Sequence, residues 1–190
     1  MRSLQFFTLL KMVFLSSNIW NGFPITGGNE SGWYQKIYRG DTIILVDVKE
    51  HQYPYIIKRF REAGIECDDI SWPQETGCDY LIQNDCGSCA IQRKVAVPEL
   101  TSELDETMFD TLPRLKNFSE NPILLVEEDF GIDQSGYLFN RGDSRETSML
   151  ATSYFGYLET VRKIGVDVIT TRDLNQSIWW MIATHGYLAK

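Results

Sequence analysis

The stretch Cys78-Asp79-Tyr80-Leu81-Ile82-Gln83-Asn84-Asp85-Cys86-Gly87-Ser88-Cys89-Ala90-Ile91-Gln92-Arg93-Lys94 decides the fold. Two strand-like runs, Cys78 to Ile82 and Ser88 to Val97, flank the polar turn Asn84-Asp85-Cys86-Gly87, the pattern of a hairpin. Side chains alternate across a strand, so Gln92 and Lys94 share one face while Arg93 projects to the other. Cys86-Gly87-Ser88-Cys89 has the spacing of half a zinc site, but Cys67, Cys78, His51 and His185 supply no second closely spaced pair. The expectation is therefore a hairpin turn without zinc, with thiols kept reduced.

Upstream, Thr42-Ile43-Ile44-Leu45-Val46-Asp47-Val48 is a β-branched run that reads as a buried strand ending in an acid. Residues 51 to 63 carry Tyr55, Ile56, Phe60 and Ala63 at helical spacing, and Gly64 supplies the stop. Ile65 to Ile70 forms a short second strand. Downstream, Pro98-Glu99 opens a helix reaching Phe118, with Pro113 as a kink. Pro122 to Glu127 is apolar without alternation and belongs in mid-sheet. A polar loop over 129–143 follows, then a helix from Glu146 to Ile164 closed by Gly165, a strand from Val166 to Thr170, and a last helix from Leu174 to Leu188 capped by Thr171 or Asp173. Helices alternating with strands around a central hairpin define an α/β sandwich with a mixed sheet.

On this map Asp47, Asp79 and the Gln92-Arg93-Lys94 triplet fall near the ends of adjacent strands. An acid on one strand, with an oxygen ligand and a lysine two residues apart on the next, is a pattern suited to metal-dependent phosphodiester hydrolysis. The oxygens hold a hard cation such as Mg²⁺, and the lysine orients water or offsets developing charge.

These residues resemble the motifs of the XPF family of structure-specific DNA endonucleases, whose strands carry Val-Asp-x-Arg-Glu, then Gly-Asp-Tyr, then Glu-Arg-Lys. The corresponding text is Val46-Asp47-Val48-Lys49-Glu50, Cys78-Asp79-Tyr80 and Gln92-Arg93-Lys94, followed by Pro122-Ile123-Leu124-Leu125-Val126-Glu127-Glu128 and Ile164-Gly165-Val166-Asp167-Val168-Ile169-Thr170. The resemblance covers residues 41–190 as a nuclease domain and leaves 1–40 as an N-terminal appendage. It implies a restriction-endonuclease-like three-layer sandwich, a central mixed β-sheet flanked by helices. It further implies cleavage of branched or junction DNA in repair and recombination. Asp79 then matches the principal metal-binding acid, Lys94 the catalytic lysine, Asp47 a further site acid and Arg93 the motif arginine. Glu50, Glu75 and Glu99 occupy supporting acid positions. The implied cofactor is Mg²⁺ or Mn²⁺, held by Asp79, Gln92 and Asp47. The implied assembly is a homo- or heterodimer through the C-terminal helices, where Trp179, Trp180 and Met181 lie. Gln92 departs from the motif glutamate. It keeps one carbonyl oxygen and loses a negative charge, which weakens the hold on a cation. The alternative is a catalytically inactive XPF-like DNA-binding or scaffold subunit paired with an active nuclease, and a third is an interaction module keeping the fold alone.

The chain has 190 residues, 43% of them hydrophobic, enough for a full core, and a net charge of -8. That balance argues against binding nucleic acid by bulk electrostatics and leaves the work to local basic clusters, such as Lys58, Arg59 and Arg61 or Arg114 and Lys116. The apolar run Leu4-Gln5-Phe6-Phe7-Thr8-Leu9-Leu10 is interrupted by Lys11, lacks a small-residue cleavage site and is too short to span a bilayer. The expected location is intracellular, with no membrane association.

Overall fold

The structure is a computed structural model, and it describes residues 43–72, 76–84, 87–100, 103–142 and 146–188. The N-terminal appendage over 1–40, Glu75 and Cys86 lie outside the described residues.

Strand β1 (Ile43–Asp47) is buried at all five positions, as a run without alternation requires. Helix α1 (Tyr53–Glu62) starts beside Pro54 and ends before Gly64, whose φ of 74° provides the left-handed stop. It buries Ile56, Ile57 and Phe60, whereas Tyr55 and Ala63, expected on the apolar face, are exposed. Strand β2 (Cys67–Ile70) pairs parallel to β1 at the sheet edge. The hairpin forms as expected: β3 (Tyr80–Asn84) and β4 (Gly87–Val95) pair antiparallel, with Asn84 opposite Gly87.

The helix expected from Pro98 to Phe118 is irregular at its start and changes winding along its length. A π-helical turn spans Ala96–Leu100, α2 covers Leu104–Glu106, a second π-helical turn covers Thr107–Thr111, and α3 covers Leu112–Phe118. Two prolines lie at the irregular points. Val97, preceding Pro98, takes extended angles (φ -129°, ψ 123°), whereas Glu106, Thr107, Thr111 and Leu112 all stay right-handed helical, so Pro113 lies inside a continuing helix just after a π-helical turn, as a kink there would have it.

Strand β5 (Pro122–Glu127) lies in mid-sheet between β4 and β9 (Asp167–Thr171), parallel to both. The segment read as a polar loop is instead a second, three-stranded antiparallel sheet of β6 (Phe130–Ile132), β7 (Tyr137–Asn140) and β8 (Glu146–Leu150). Its first turn is held by Asp133, whose Oδ1 accepts the N–H groups of Ser135 and Tyr137 at 2.8 Å, with Gly136 at φ 87°. Pairing of β8 with β7 delays the following helix, so α4 runs Ala151–Lys163 and starts five residues after Glu146. Helix α5 (Leu174–Leu188) is capped by Asp173, whose Oδ1 accepts the Gln176 N–H at 2.9 Å, while Thr171 remains in β9.

The main sheet has the order β2-β1-β3-β4-β5-β9 and is mixed. One face, bearing Ile43, Leu45, Leu81, Leu124 and Val126, packs on Leu112, Leu115, Tyr154 and Val161 from α3 and α4. The other, bearing Ile44, Val46, Ile82, Ile91 and Leu125, packs on Ile56 and Phe60 from α1 and Ile178 and Met181 from α5. Helices on both faces of one sheet complete the three-layer sandwich. No helix among the described residues is long and apolar enough to cross a membrane.

Candidate active site

The strand ends bring the sequence-derived residues to two faces of the sheet. Asp47 closes β1, and its N–H donates to the Asp79 carbonyl at 2.8 Å, so the two acids stand on neighbouring chains just before β3. Gln92 on β4 reaches Asp79 from the other side. Its Nε2 donates to Asp79 Oδ2 at 2.6 Å, and the Arg93 backbone N–H donates to the same oxygen at 2.8 Å. Gln92 Nε2 also donates to the Arg93 carbonyl at 3.3 Å. The amide thus turns its NH₂ group, not its oxygen, to both acceptors.

Arg93 turns to the opposite face. There Nη2 donates to Glu50 Oε1 at 2.8 Å and Nη1 to Glu127 Oε2 at 2.9 Å, all three side chains being buried. Ser177 Oγ on α5 donates to Glu127 Oε1 at 2.8 Å and lies 2.7 Å from Thr171 Oγ1. This chain of contacts ties the loop after β1 to β4, β5, β9 and α5. Burial works against the Arg93 charge, but the hydrogen bond and charge of Glu50, with Glu127 behind it, hold its pKa above the ordinary value. Burial pushes Glu127 up, against the pull of Arg93.

The same balance governs Asp79. Burial, and after it the negative charge of Glu50, raises its pKa from 3.8 to about 8, outweighing the Arg93 N–H and the charges of Lys94 and Arg93. Burial thus favours the neutral carboxyl of Asp79 over the carboxylate.

The other expected site residues are committed to separate partners. Asp47 Oδ1 accepts the Lys49 N–H at 3.0 Å, an Asx-type turn. Lys94 Nζ lies 2.5 Å from Glu103 Oε2. Glu99 Oε2 accepts the Val95 N–H at 3.0 Å, where β4 gives way to the first helical turn. Glu50 belongs to the Arg93 network rather than to Asp79. Glu103 and Ser177 were not singled out from the sequence, and Glu127 and Thr171 were read there only as the end of a strand and a helix-cap candidate. Glu127 ends an otherwise apolar strand, which is the one local signal it offered.

A hard divalent cation seeks about six oxygen ligands in near-octahedral array. Here Asp79 Oδ2 already accepts two N–H groups, and the neighbouring amide turns donors rather than an oxygen toward it. Among the described residues no group of three His, Cys, Asp or Glu side chains is placed to hold a metal. As arranged, the donor set does not fit Mg²⁺ or Mn²⁺. Cys89 lies in the apolar layer with Ile44 and Ile91, and burial raises its thiol pKa to about 12. Cys67, Cys78 and Cys89 are free and buried.

Several cations of the basic clusters on α1, α3 and α4 have a local acidic partner. Lys58 and Arg59 pair with Glu62, Arg114 with Asp110 and Arg162 with Glu159.

The mixed six-stranded sheet and its two helical layers make a three-layer α/β sandwich of the kind found in XPF. Among solved structures the chain is similar to XPF from Aeropyrum pernix, with a TM-score of 0.52 and 19% identity over 77% of this chain and 63% of that one. It is also similar to XPF from Aeropyrum pernix in complex with DNA, with a TM-score of 0.54 and 18% identity over 78% of this chain and 63% of that one. At such identities the likeness establishes the fold, and it spans less than two thirds of the XPF chains. No protein-family model matches the sequence, and no curated protein matches it.

Proposed function

We propose that the chain is an XPF-like DNA-binding subunit whose cleavage centre is held shut, serving as the scaffold partner of an active nuclease. One observation carries this reading: Gln92 donates its amide to Asp79, where a metal-bound nuclease would need two acidic oxygens. The structural neighbour that holds DNA supports DNA as the ligand. Partnership through the C-terminal helix is supported by Trp179, which is 57% exposed on α5, while Met181 beside it belongs to the core.

A metal-dependent endonuclease acting on branched or junction DNA is the second reading. The convergence of Asp47, Asp79 and Gln92 at neighbouring strand ends favours it. That reading requires the Gln92 amide to rotate, so that its oxygen with Asp79 and Asp47 would hold Mg²⁺ or Mn²⁺ while Lys94 faces the phosphate.

The two readings separate in one assay. Purified protein is incubated with fork, flap and duplex DNA plus Mg²⁺ or Mn²⁺, alongside Gln92→Glu and Asp79→Asn variants. The scaffold reading expects wild type to bind without cutting and Gln92→Glu to cut. Wild-type cleavage abolished by Asp79→Asn would establish the enzyme instead. Absence of any salt-sensitive DNA binding would remove both and leave an interaction module.

A further inference from the structure

We propose that one buried water molecule is seated between the Tyr80 hydroxyl and the Arg93 Nε–H, where it joins β3 and β4 to the Glu50 carboxylate on the face of the sheet opposite Asp79. The site is independent of what the strand ends bind.

Strand register puts the two groups together. Tyr80 stands opposite Ile91 in the antiparallel β3–β4 pair, so Tyr80, Ile91 and Arg93 project to one face, with Arg93 the diagonal neighbour of Tyr80. Ile56 and Phe60 of α1 and Ile178 and Met181 of α5 cover that face, Tyr80 is fully buried, and the Arg93 side chain is only 6% exposed. Each nevertheless carries a polar atom with no hydrogen-bond partner among the described residues, the Tyr80 Oη and the Arg93 Nε. The tyrosine also lies in the field of the same charged network: burial and then Glu50 push its pKa well up, while Arg93 pulls it down.

The guanidinium geometry says where the third molecule sits. Nε–H and one Nη2–H leave the group along the same edge, a fork that a carboxylate can fill with both oxygens. Glu50 fills half of it: Oε1 accepts from Nη2 at 2.8 Å and Nε is left over, while Nη1 is turned to Glu127. A donor of a buried cation and a buried phenol are both costly to leave unpaired. One water answers both, accepting from Nε–H and from the Tyr80 O–H and donating to the Glu50 carboxylate, about three hydrogen bonds as is usual for internal water. An ion suits the place less well. The carboxylates of Glu50 and Glu127 outnumber the guanidinium and repel an anion, and the two donors facing the seat repel a cation.

The test pairs a crystal structure of the whole chain, at a resolution that shows ordered water, with water ¹⁷O relaxation dispersion, which counts long-lived internal waters in solution. The wild-type density is expected to show a water within about 3 Å of both Tyr80 Oη and Arg93 Nε. Tyr80→Phe removes the hydroxyl alone, and its dispersion amplitude should fall by one long-lived water relative to wild type. Density in which Glu50 has rotated to take both Nε and Nη2, or in which the tyrosine and the guanidinium meet with nothing between them, would overturn the site. So would an unchanged water count in a folded Tyr80→Phe. If that variant does not fold, the wild-type density decides alone.

Discussion

Arg93 and Glu127 close an ion pair of 2.9 Å across the parallel strands β4 and β5, on the face of the sheet opposite Asp79. With Glu50 on the other nitrogen, two buried carboxylates depend on one guanidinium. Removing it leaves both charges without compensation. Arg93→Met should therefore cost about 3–5 kcal/mol of stability, read from urea unfolding. Replacing all three side chains by apolar residues of similar volume should recover much of that loss, because the desolvation cost disappears with the charges. If Arg93→Met is as stable as wild type, the network does not brace the fold.

Asp79 should give the protein an inverted acid dependence. An acid whose pKa rises from 3.8 to about 8 on folding binds its proton more tightly in the folded state. Stability from this group is full below the unfolded value and falls as pH climbs toward about 8. Asp79→Asn keeps an oxygen acceptor for the Gln92 and Arg93 donors without the titration. The variant should gain stability over wild type progressively between about pH 4 and about pH 8. Parallel unfolding profiles across that window would contradict the raised pKa.

Gly77 sets the position of Asp79 two residues later. Its φ is +60°, and a Cβ there would lie 2.6 Å from the Thr111 carbonyl oxygen, a backbone atom that cannot swing aside. Gly77→Ala should lose about 1–3 kcal/mol from left-handed strain and crowding together. Thermal unfolding measures the loss, and amide exchange should show it centred on β3 and the second π-helical turn.

Trp179 is exposed on a helix whose neighbouring Ile178 and Met181 are core. If α5 is the pairing surface, Trp179→Lys should shift a dimer to monomer in sedimentation velocity without lowering thermal stability of the monomer, since an exposed ring contributes little to its own fold. A wild-type monomer at all concentrations would remove the homodimer.

The central sheet was legible because β1 and β5 are apolar runs covered on both faces, and the polar turn signal between β3 and β4 marked the hairpin that puts Gln92 close to Asp79. The small sheet was not. Its strands are three to five residues long, include Gly131 and Asn140, and flank a turn polar enough to read as loop. The Arg93 network was hidden for a different reason. Glu50 and Glu127 lie 43 and 34 residues away in sequence, and no local spacing encodes such a meeting. Strand alternation sent Arg93 to the far face, but only the packed sheet brought acids to it there.

Gln92 offers the most direct test of how the site is poised. Gln92→Glu replaces a hydrogen-bond donor 2.6 Å from Asp79 Oδ2 with a second acid. Without metal the two carboxyl groups must share protons, and Asp79 loses a donor, so stability in a chelator should fall by about 1–3 kcal/mol. Adding Mn²⁺ should reverse the loss, because the paired acids now offer the oxygens a hard cation seeks, and binding to the folded state alone raises its stability. Wild type, with its amide turned to Asp79, should show no metal-dependent shift in unfolding temperature. A wild-type shift as large as that of Gln92→Glu would mean that the amide rotates to offer its oxygen and that the resting arrangement is no barrier to metal.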